Sequence, residues 1–243
     1  MKSLLAALQF LTRVPMPAGT LSETDLAWAP AWYGMVGLGL GCLLAGTNLE
    51  LMRWVPVAPR IAAVLLLNFF LTGGLHLDGL ADSADGLLGS RERERSLAIM
   101  RDSRIGSFGT VALIAVLGLQ WSALAALARP AQTAALILAP ALARAGMLGG
   151  ALYAAPARAD GLGAWFLQTV TPVRLLCSAI PVLAAALWLG HGAGAWSCVW
   201  TLIAVVCSRW WLVRRLGGQT GDTLGGTAVL IETIIFWTFL ISR

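Results

Sequence analysis

The sequence predicts an all-α, polytopic integral membrane helix bundle of about seven transmembrane helices, preceded by an N-terminal interfacial helix. Three observations carry that prediction. Of the 243 residues, 58% are hydrophobic and 12% charged, whereas a soluble domain is roughly 25% charged. Mean hydropathy is +0.77. The apolar residues also gather into runs approaching the ~20 residues that a helix needs to cross a bilayer. So few charges could not mask this much apolar surface from water. A soluble globular enzyme, a disordered chain and a disulfide-stapled secreted module are therefore excluded. No repeat and no Pro- or Ser-rich linker divides the chain, so residues 1–243 read as one domain.

The elements follow in order. In MKSLLAALQFLTR, about eight apolar residues precede Arg13 and no small-x-small cleavage site follows, which predicts an interfacial amphipathic helix rather than a cleaved leader. Seven apolar stretches then predict spans near 32–52, 60–77, 105–128, 132–154, 175–190, 195–213 and 225–241. Trp32 and Trp54 bracket the first, and Trp188 and Trp196 flank the turn between the fifth and sixth, as an aromatic belt would. The second is short and runs straight into HLDGLADSADG; the seventh carries Glu232 near its middle. Cys42, Cys177, Cys198 and Cys207 lie inside apolar runs without a Cys-x-x-Cys pair. They read as small buried hydrophobes, with neither a disulfide framework nor a zinc site.

The net charge of +5 matches what orientation demands of a membrane protein, since cytoplasmic loops collect Arg and Lys. No nucleic-acid partner is implied. With the N-terminus inside, eleven basic residues fall on the inner side: Lys2, Arg13, five Arg between 91 and 104, Arg158, Arg174, Arg214 and Arg215. Arg53, Arg60, Arg129 and Arg243 fall outside. That imbalance puts the 78–104 and 214–224 loops together on the cytoplasmic side.

Charge is concentrated where chemistry would need it. Residues 76–104 hold 11 of the 29 charged side chains. Asp78, Asp82 and Asp85 are spaced i, i+4, i+7, which puts three carboxylates on one helix face. Such like charges repel unless protons or cations neutralise them. Magnesium suits this pattern, because it binds through one or two carboxylates and shares the rest of its shell with substrate phosphates. The bland alternative is a solvated acidic helix end. Against it stand Gly79 and Gly86, which allow close approach of a ligand, and Arg101 and Arg104, which could clamp phosphate.

A second constellation, RRLGGQTGD at 214–222, supplies Arg215, a flexible loop at Gly217, Gly218 and Gly221, and the polar groups of Thr220 and Asp222 before a helix start. Free amides there favour anions, although a tight interhelical turn explains the glycines equally well. Glu232, ionisable inside a span, is either a functional group or the partner of a buried Arg144 or Arg209. His76 reads as a ligand, a base or an interfacial histidine, the last being favoured. The Arg91–Arg95 run reads as solvated and headgroup-facing, and Asp160 with Gly161 and Gly163 as a turn.

These motifs together resemble the cobalamin synthase family, the membrane-bound adenosylcobinamide-GDP ribazoletransferases of cobamide biosynthesis. The matching pieces are FLTRVPMP (10–17), GGLHLDGLADSADGLLG (73–89), IMRDSRIGSFG (99–109) and GGQTGDTLGG (217–226), with Glu232 following. They cover most of the chain in family order, and the central block is long and specific. The resemblance implies a reaction joining adenosylcobinamide-GDP to alpha-ribazole or its 5'-phosphate, with release of GMP and a requirement for magnesium. Carried onto this chain, Asp78, Asp82 and Asp85 would hold magnesium, with Asp82 or Asp85 doubling as general base. Arg101, Arg104 and the 217–221 loop would hold phosphates, with Asp222 and Glu232 completing the metal or nucleotide site. It implies an inner-membrane protein with its site facing the cytoplasm. Docking of other cobamide-assembly enzymes on that face, and the oligomeric state, stay open.

Two rivals predict different patterns. A CDP-alcohol phosphotransferase of lipid synthesis would carry D-G-x2-A-R, but Asp82 follows Asp78-Gly79-Leu80-Ala81 where that family places Arg. A transporter with an acidic relay, built on Glu232, Arg144 and Arg209, would distribute charge through the bilayer. Here most charge lies at one end.

Overall fold

The computed structural model describes residues 2–16, 20–159 and 161–242. Among them the only extended pairing is a single bridge between Pro156 and Gln219; the rest of the regular structure is helical. A short first helix, α1 (Lys2–Leu11), is followed by α2 (Glu23–Trp28), a 3-10 turn (Ala29–Trp32) and α3 (Tyr33–Leu51). Then come α4 (Val57–Thr72), α5 (Leu75–Gly89), α6 (Arg93–Ile99), α7 (Ser107–Ala126) and α8 (Arg129–Ala151). The chain closes with α9 (Leu162–Thr169), α10 (Pro172–Leu216) and α11 (Gly221–Ile241).

Among the described residues, five helical runs are long and apolar enough to cross a membrane: Glu23–Leu51, α7, α8, α10 and α11. The bent pair α4 and α5 makes a sixth if taken as one span. Seven were expected, and α10 accounts for the difference. Its 45 residues would extend ~68 Å if straight, at 1.5 Å per residue, more than twice the ~30 Å hydrocarbon layer. The helix instead reverses at His191 (φ 46°, ψ −126°), and Gly194 packs directly on the backbone of Ala186. The expected spans 175–190 and 195–213 are the two arms of this hairpin. Ser178 on the first arm accepts from the Gly34 amide of α3 at 2.8 Å, while Thr201 and Val205 on the second lie against Gly146 of α8.

The expected span 60–77 needs a second correction. α4 ends at Thr72, where Gly73 (φ 63°) and Gly74 (φ 70°) adopt the left-handed conformation that residues with a Cβ resist. The chain turns by 91° there. His76 and Leu77 thus belong to a new helix, and α5 runs back along α7, with Leu77 packed by Val116 and Asp85 on the amides of Gly106 and Gly109.

α8 is the hub. Small residues dominate its length, and Gly37 and Gly41 of α3 sit on its backbone at Ala141 and Ile137. Close backbone approach through small residues is how helices associate where lipid provides no hydrophobic drive. One end of the bundle gathers the reversal at His191 together with Ser242. Of the four tryptophans expected in an aromatic belt, Trp54, Trp188 and Trp196 are exposed, whereas Trp32 is half-buried and donates from Nε1 to Ser3 Oγ at 3.0 Å. The other end gathers Arg13 beside Gly73, the α8–α10 connection and the start of α11. There Arg93 donates to the carbonyls of Leu216 at 2.7 Å and Ala157 at 2.9 Å. The cysteines differ from expectation: Cys42, Cys177 and Cys207 are exposed. In a membrane bundle the outer surface meets hydrocarbon, so small apolar side chains carry no cost there.

Candidate active site

The site is built where α5 crosses the first turn of α11. Gly79 lies so close to α11 that a Cβ would stand 2.8 Å from the carbonyl oxygen of Asp222. Any larger residue would push the two helices apart. The crossing brings Asp78 and Asp82 of α5 beside Asp222. The effect on Asp82, which lies beyond the expected span 60–77 and near the start of α11, is plain. Burial, followed by the neighbouring carboxylates of Asp78, Asp222 and Asp85, pushes its carboxyl up to about 6, with Arg158 opposing. Arg158 Nη2 stands 3.3 Å from Asp222 Oδ2.

The loop before α11 is pinned to the segment after α8. Gln219 N–H donates to Ala155 at 2.9 Å and Ala157 N–H donates to Gln219 at 2.8 Å, which places Arg158 beside Asp222. Thr220 then caps α11: its Oγ1 accepts from Thr223 N at 3.1 Å, while Thr223 Oγ1 accepts from Thr220 N at 2.9 Å. The positive end of the helix dipole is thereby aimed at the same place.

A cavity of about 330 Å³ opens here. His76, Asp78, Arg158, Thr220 and Asp222 line its polar part, and Phe10 and Phe166 its apolar part. The two phenyl rings stack at 6.1 Å between centroids, 10° from parallel. Tyr33 stacks on both, at 5.8 Å from Phe10 and 5.7 Å from Phe166.

Comparison with known proteins covers nearly the whole chain. The family model described as Cobalamin-5-phosphate synthase matches residues 3–240. The chain belongs to that family. A relative from Roseiflexus sp. (strain RS-1), named adenosylcobinamide-GDP ribazoletransferase, is 38% identical over 97% of this chain and 88% of its own. Relatives of the same name from Pseudomonas fluorescens (strain Pf-5) and Bradyrhizobium diazoefficiens are 41% and 40% identical, each over 94% of this chain and over 95% and 89% of their own. No solved structure matches.

The cobalamin-5-phosphate synthase motifs do not all converge on the cavity. His76, Asp78, Thr220, Gly221 and Asp222 line it, and Asp82 stands near Asp78 and Asp222 without lining it. Asp85 is drawn away: it is buried, and its two oxygens accept from the amides of Gly106 at 2.7 Å and Gly109 at 2.8 Å. It caps α7 from another helix, and the expectation of a general base narrows to Asp82. Glu232 pairs with Arg144 inside the bundle, both side chains buried. Ten residues beyond Asp222, it lies about 15 Å further along the helix axis, so the structural alternative weighed for it is the one seen.

Arg104 is turned onto Asp102 at 2.6 Å in an exposed ion pair, away from the cavity. Arg101 is exposed in the turn after α6. Arg215 donates to the carbonyls of Ser90 and Arg91, holding α6 rather than a phosphate. Gly217 ends α10 with φ 73°, and Gly218 packs on the Ala155 carbonyl. Both serve the loop. His76 is buried rather than interfacial, and its Nε2 has no partner. Arg144 and Glu232 line a small void on its other side. Asp160 and Arg243 lie outside the described residues.

Sequence reasoning missed Arg158, Phe10 and Phe166. Arg158 was read only as an inner-side charge, since nothing local marks it. Phe10 lay inside the FLTRVPMP match without a role, and Phe166 lay in an apolar segment with no pattern to single it out. Among the described residues, no group of three or more His, Cys, Asp or Glu is close enough to hold a metal by itself. Magnesium does not need such a cage, because substrate phosphates complete its shell.

Proposed function

We propose that this cavity is the active site of an adenosylcobinamide-GDP ribazoletransferase. It joins adenosylcobinamide-GDP to alpha-ribazole or alpha-ribazole 5'-phosphate, giving adenosylcobalamin or its 5'-phosphate and GMP. The family membership supports the reading. The observation that carries it is the meeting of Asp78, Asp222 and Arg158 in one cavity at the capped start of α11, with Asp82 close to both carboxylates. In the reaction a ribose hydroxyl oxygen bonds to the corrinoid-side phosphorus, the phosphoanhydride bond to that phosphorus breaks, and GMP leaves. Phosphoryl transfer asks a protein chiefly to position groups and neutralise charge.

Each residue then has a task. Asp82, beside Asp78 and Asp222, takes the hydroxyl proton. Arg158 and the free amides at Gly221 and Asp222 face the diphosphate. The donor set suits magnesium shared with substrate phosphates: Asp78 and Asp222 line the cavity with Asp82 near them, one guanidinium opposes them, and hard oxygen ligands are what that ion prefers. Asp78, Asp82 and Asp222 would hold it, and bound there it would supply neutralisation of the diphosphate charge. Asp85 and Glu232 keep structural tasks. The excess of basic residues at this end of the bundle supports an inner-membrane protein whose cavity faces the cytoplasm, where the charged corrinoid nucleotide need not cross the bilayer. Product mass and GMP release from purified protein test the reaction, and chelation of magnesium followed by its return tests the metal.

A further inference from the structure

We infer that the apolar end of the cavity, walled by Phe10 and Phe166, holds the bicyclic base of the ribazole substrate and leaves the guanine of the corrinoid nucleotide outside. This rests on reading the cavity as a ribazoletransferase site. Three observations carry it.

The first is a built aromatic surface. Phe10, Tyr33 and Phe166 are mutually near-parallel, within 7–13°. Tyr33 and Phe166 are buried while Phe10 is 40% exposed, so two rings fix the patch and the third is free on one side. A flat heteroaromatic base stacks on such a surface without needing hydrogen bonds.

The second is chemistry. Phe166, Met147 and Leu224 belong to one apolar cluster, and Leu75 and Ala164 join them along the wall. Among the described residues none of these side chains offers a hydrogen bond. Guanine carries an amide and an amino group on its edge, and burying them here would leave them unpaired, which is costly. A benzimidazole base has only one ring nitrogen beyond the glycosidic one, so the same wall accepts it at little cost.

The third is size. At about 330 Å³ the cavity is at the low end of small-molecule sites, which span about 300–1,000 Å³. A nucleoside and a phosphate fit; the corrin macrocycle does not. With the base on Phe10 and Phe166, the ribose points to Asp78, Asp222 and Arg158, where its hydroxyl must react. The corrin stays at the mouth with the guanine.

Two-substrate kinetics on the intact detergent-purified protein test this. Wild-type turnover with both substrates is measured first; its absence sinks the ribazoletransferase reading and the inference together. With turnover in hand, Phe10→Ala should raise KM for alpha-ribazole about tenfold while KM for adenosylcobinamide-GDP and kcat change little. Phe10→Trp should restore the low KM. Because Phe166 is buried, Phe166→Leu is the companion variant, and it should move the same KM without loss of the folded protein. A rise in KM for adenosylcobinamide-GDP alone would place guanine on the patch. No change in either KM would show that the patch is packing only. Either result overturns the inference and leaves the reaction intact.

Discussion

The guanidinium of Arg158 stands 3.3 Å from the carboxylate of Asp222, joining the segment after α8 to the first turn of α11. Neither belongs to the aspartate-rich helix, yet their meeting completes the polar end of the cavity. Among the described lining residues Arg158 is the one guanidinium. Arg158→Ala should therefore lower kcat/KM by about 10²–10³, the usual cost of removing one preorganised electrostatic group. Arg158→Lys should recover part of it, because a point charge keeps attraction but loses the planar fork. Steady-state kinetics on protein of unchanged melting temperature check both.

Asp82 and Asp85 are three residues apart and should behave differently. Asp82→Asn removes a charge from beside Asp78 and Asp222 and should cost about 10²–10³ in turnover. Asp85→Asn weakens a cap on α7 and should cost about 0.5–2 kcal/mol of stability, with turnover of the folded fraction close to wild type. Parallel melting and turnover measurements separate the two.

Arg144 and Glu232 form a buried pair. Removing either partner strands the other charge, so Glu232→Gln and Arg144→Met should each destabilise by about 3–5 kcal/mol. Joining Arg144→Met with Glu232→Leu should return most of that loss, because replacing both ends of a buried pair by apolar groups is often close to neutral. Thermal melting in detergent of the two singles and the double completes the cycle.

Asp82 titrates high, near 6, through burial and the carboxylates around it. A raised carboxyl is protonated below that value, so in magnesium-free protein the carboxylic-acid infrared band should appear as pH falls through about 6 and be absent from Asp82→Asn. A cation favours the ionised form, so added magnesium should move the transition to lower pH.

The fold class and most helices were legible because composition and apolar run length are local properties. The bend at Gly73–Gly74 was written as two adjacent glycines, but a glycine pair does not announce a left-handed turn of 91°. The α10 hairpin reads as two spans in sequence, and the packing of Gly194 on Ala186 makes it so in space. The i, i+4, i+7 spacing correctly put Asp78, Asp82 and Asp85 on one helix, yet spacing cannot say that Asp85 meets the amides of Gly106 and Gly109. That depends on where α7 begins in space. Arg158 and Phe166 were illegible for the same reason: each acquires its place only when distant segments dock.

The central claim is that the carboxylates at the α5–α11 crossing carry out ribazole transfer. Its most direct test is GMP release by detergent-purified protein given adenosylcobinamide-GDP, alpha-ribazole and magnesium, with the corrinoid product identified by mass. The account predicts GMP in equal amount with the coupled product, both lost with EDTA and with Asp82→Asn and both retained by Asp85→Asn. Folded protein that releases no GMP with alpha-ribazole or its 5'-phosphate would contradict it, as would turnover that survives Asp82→Asn.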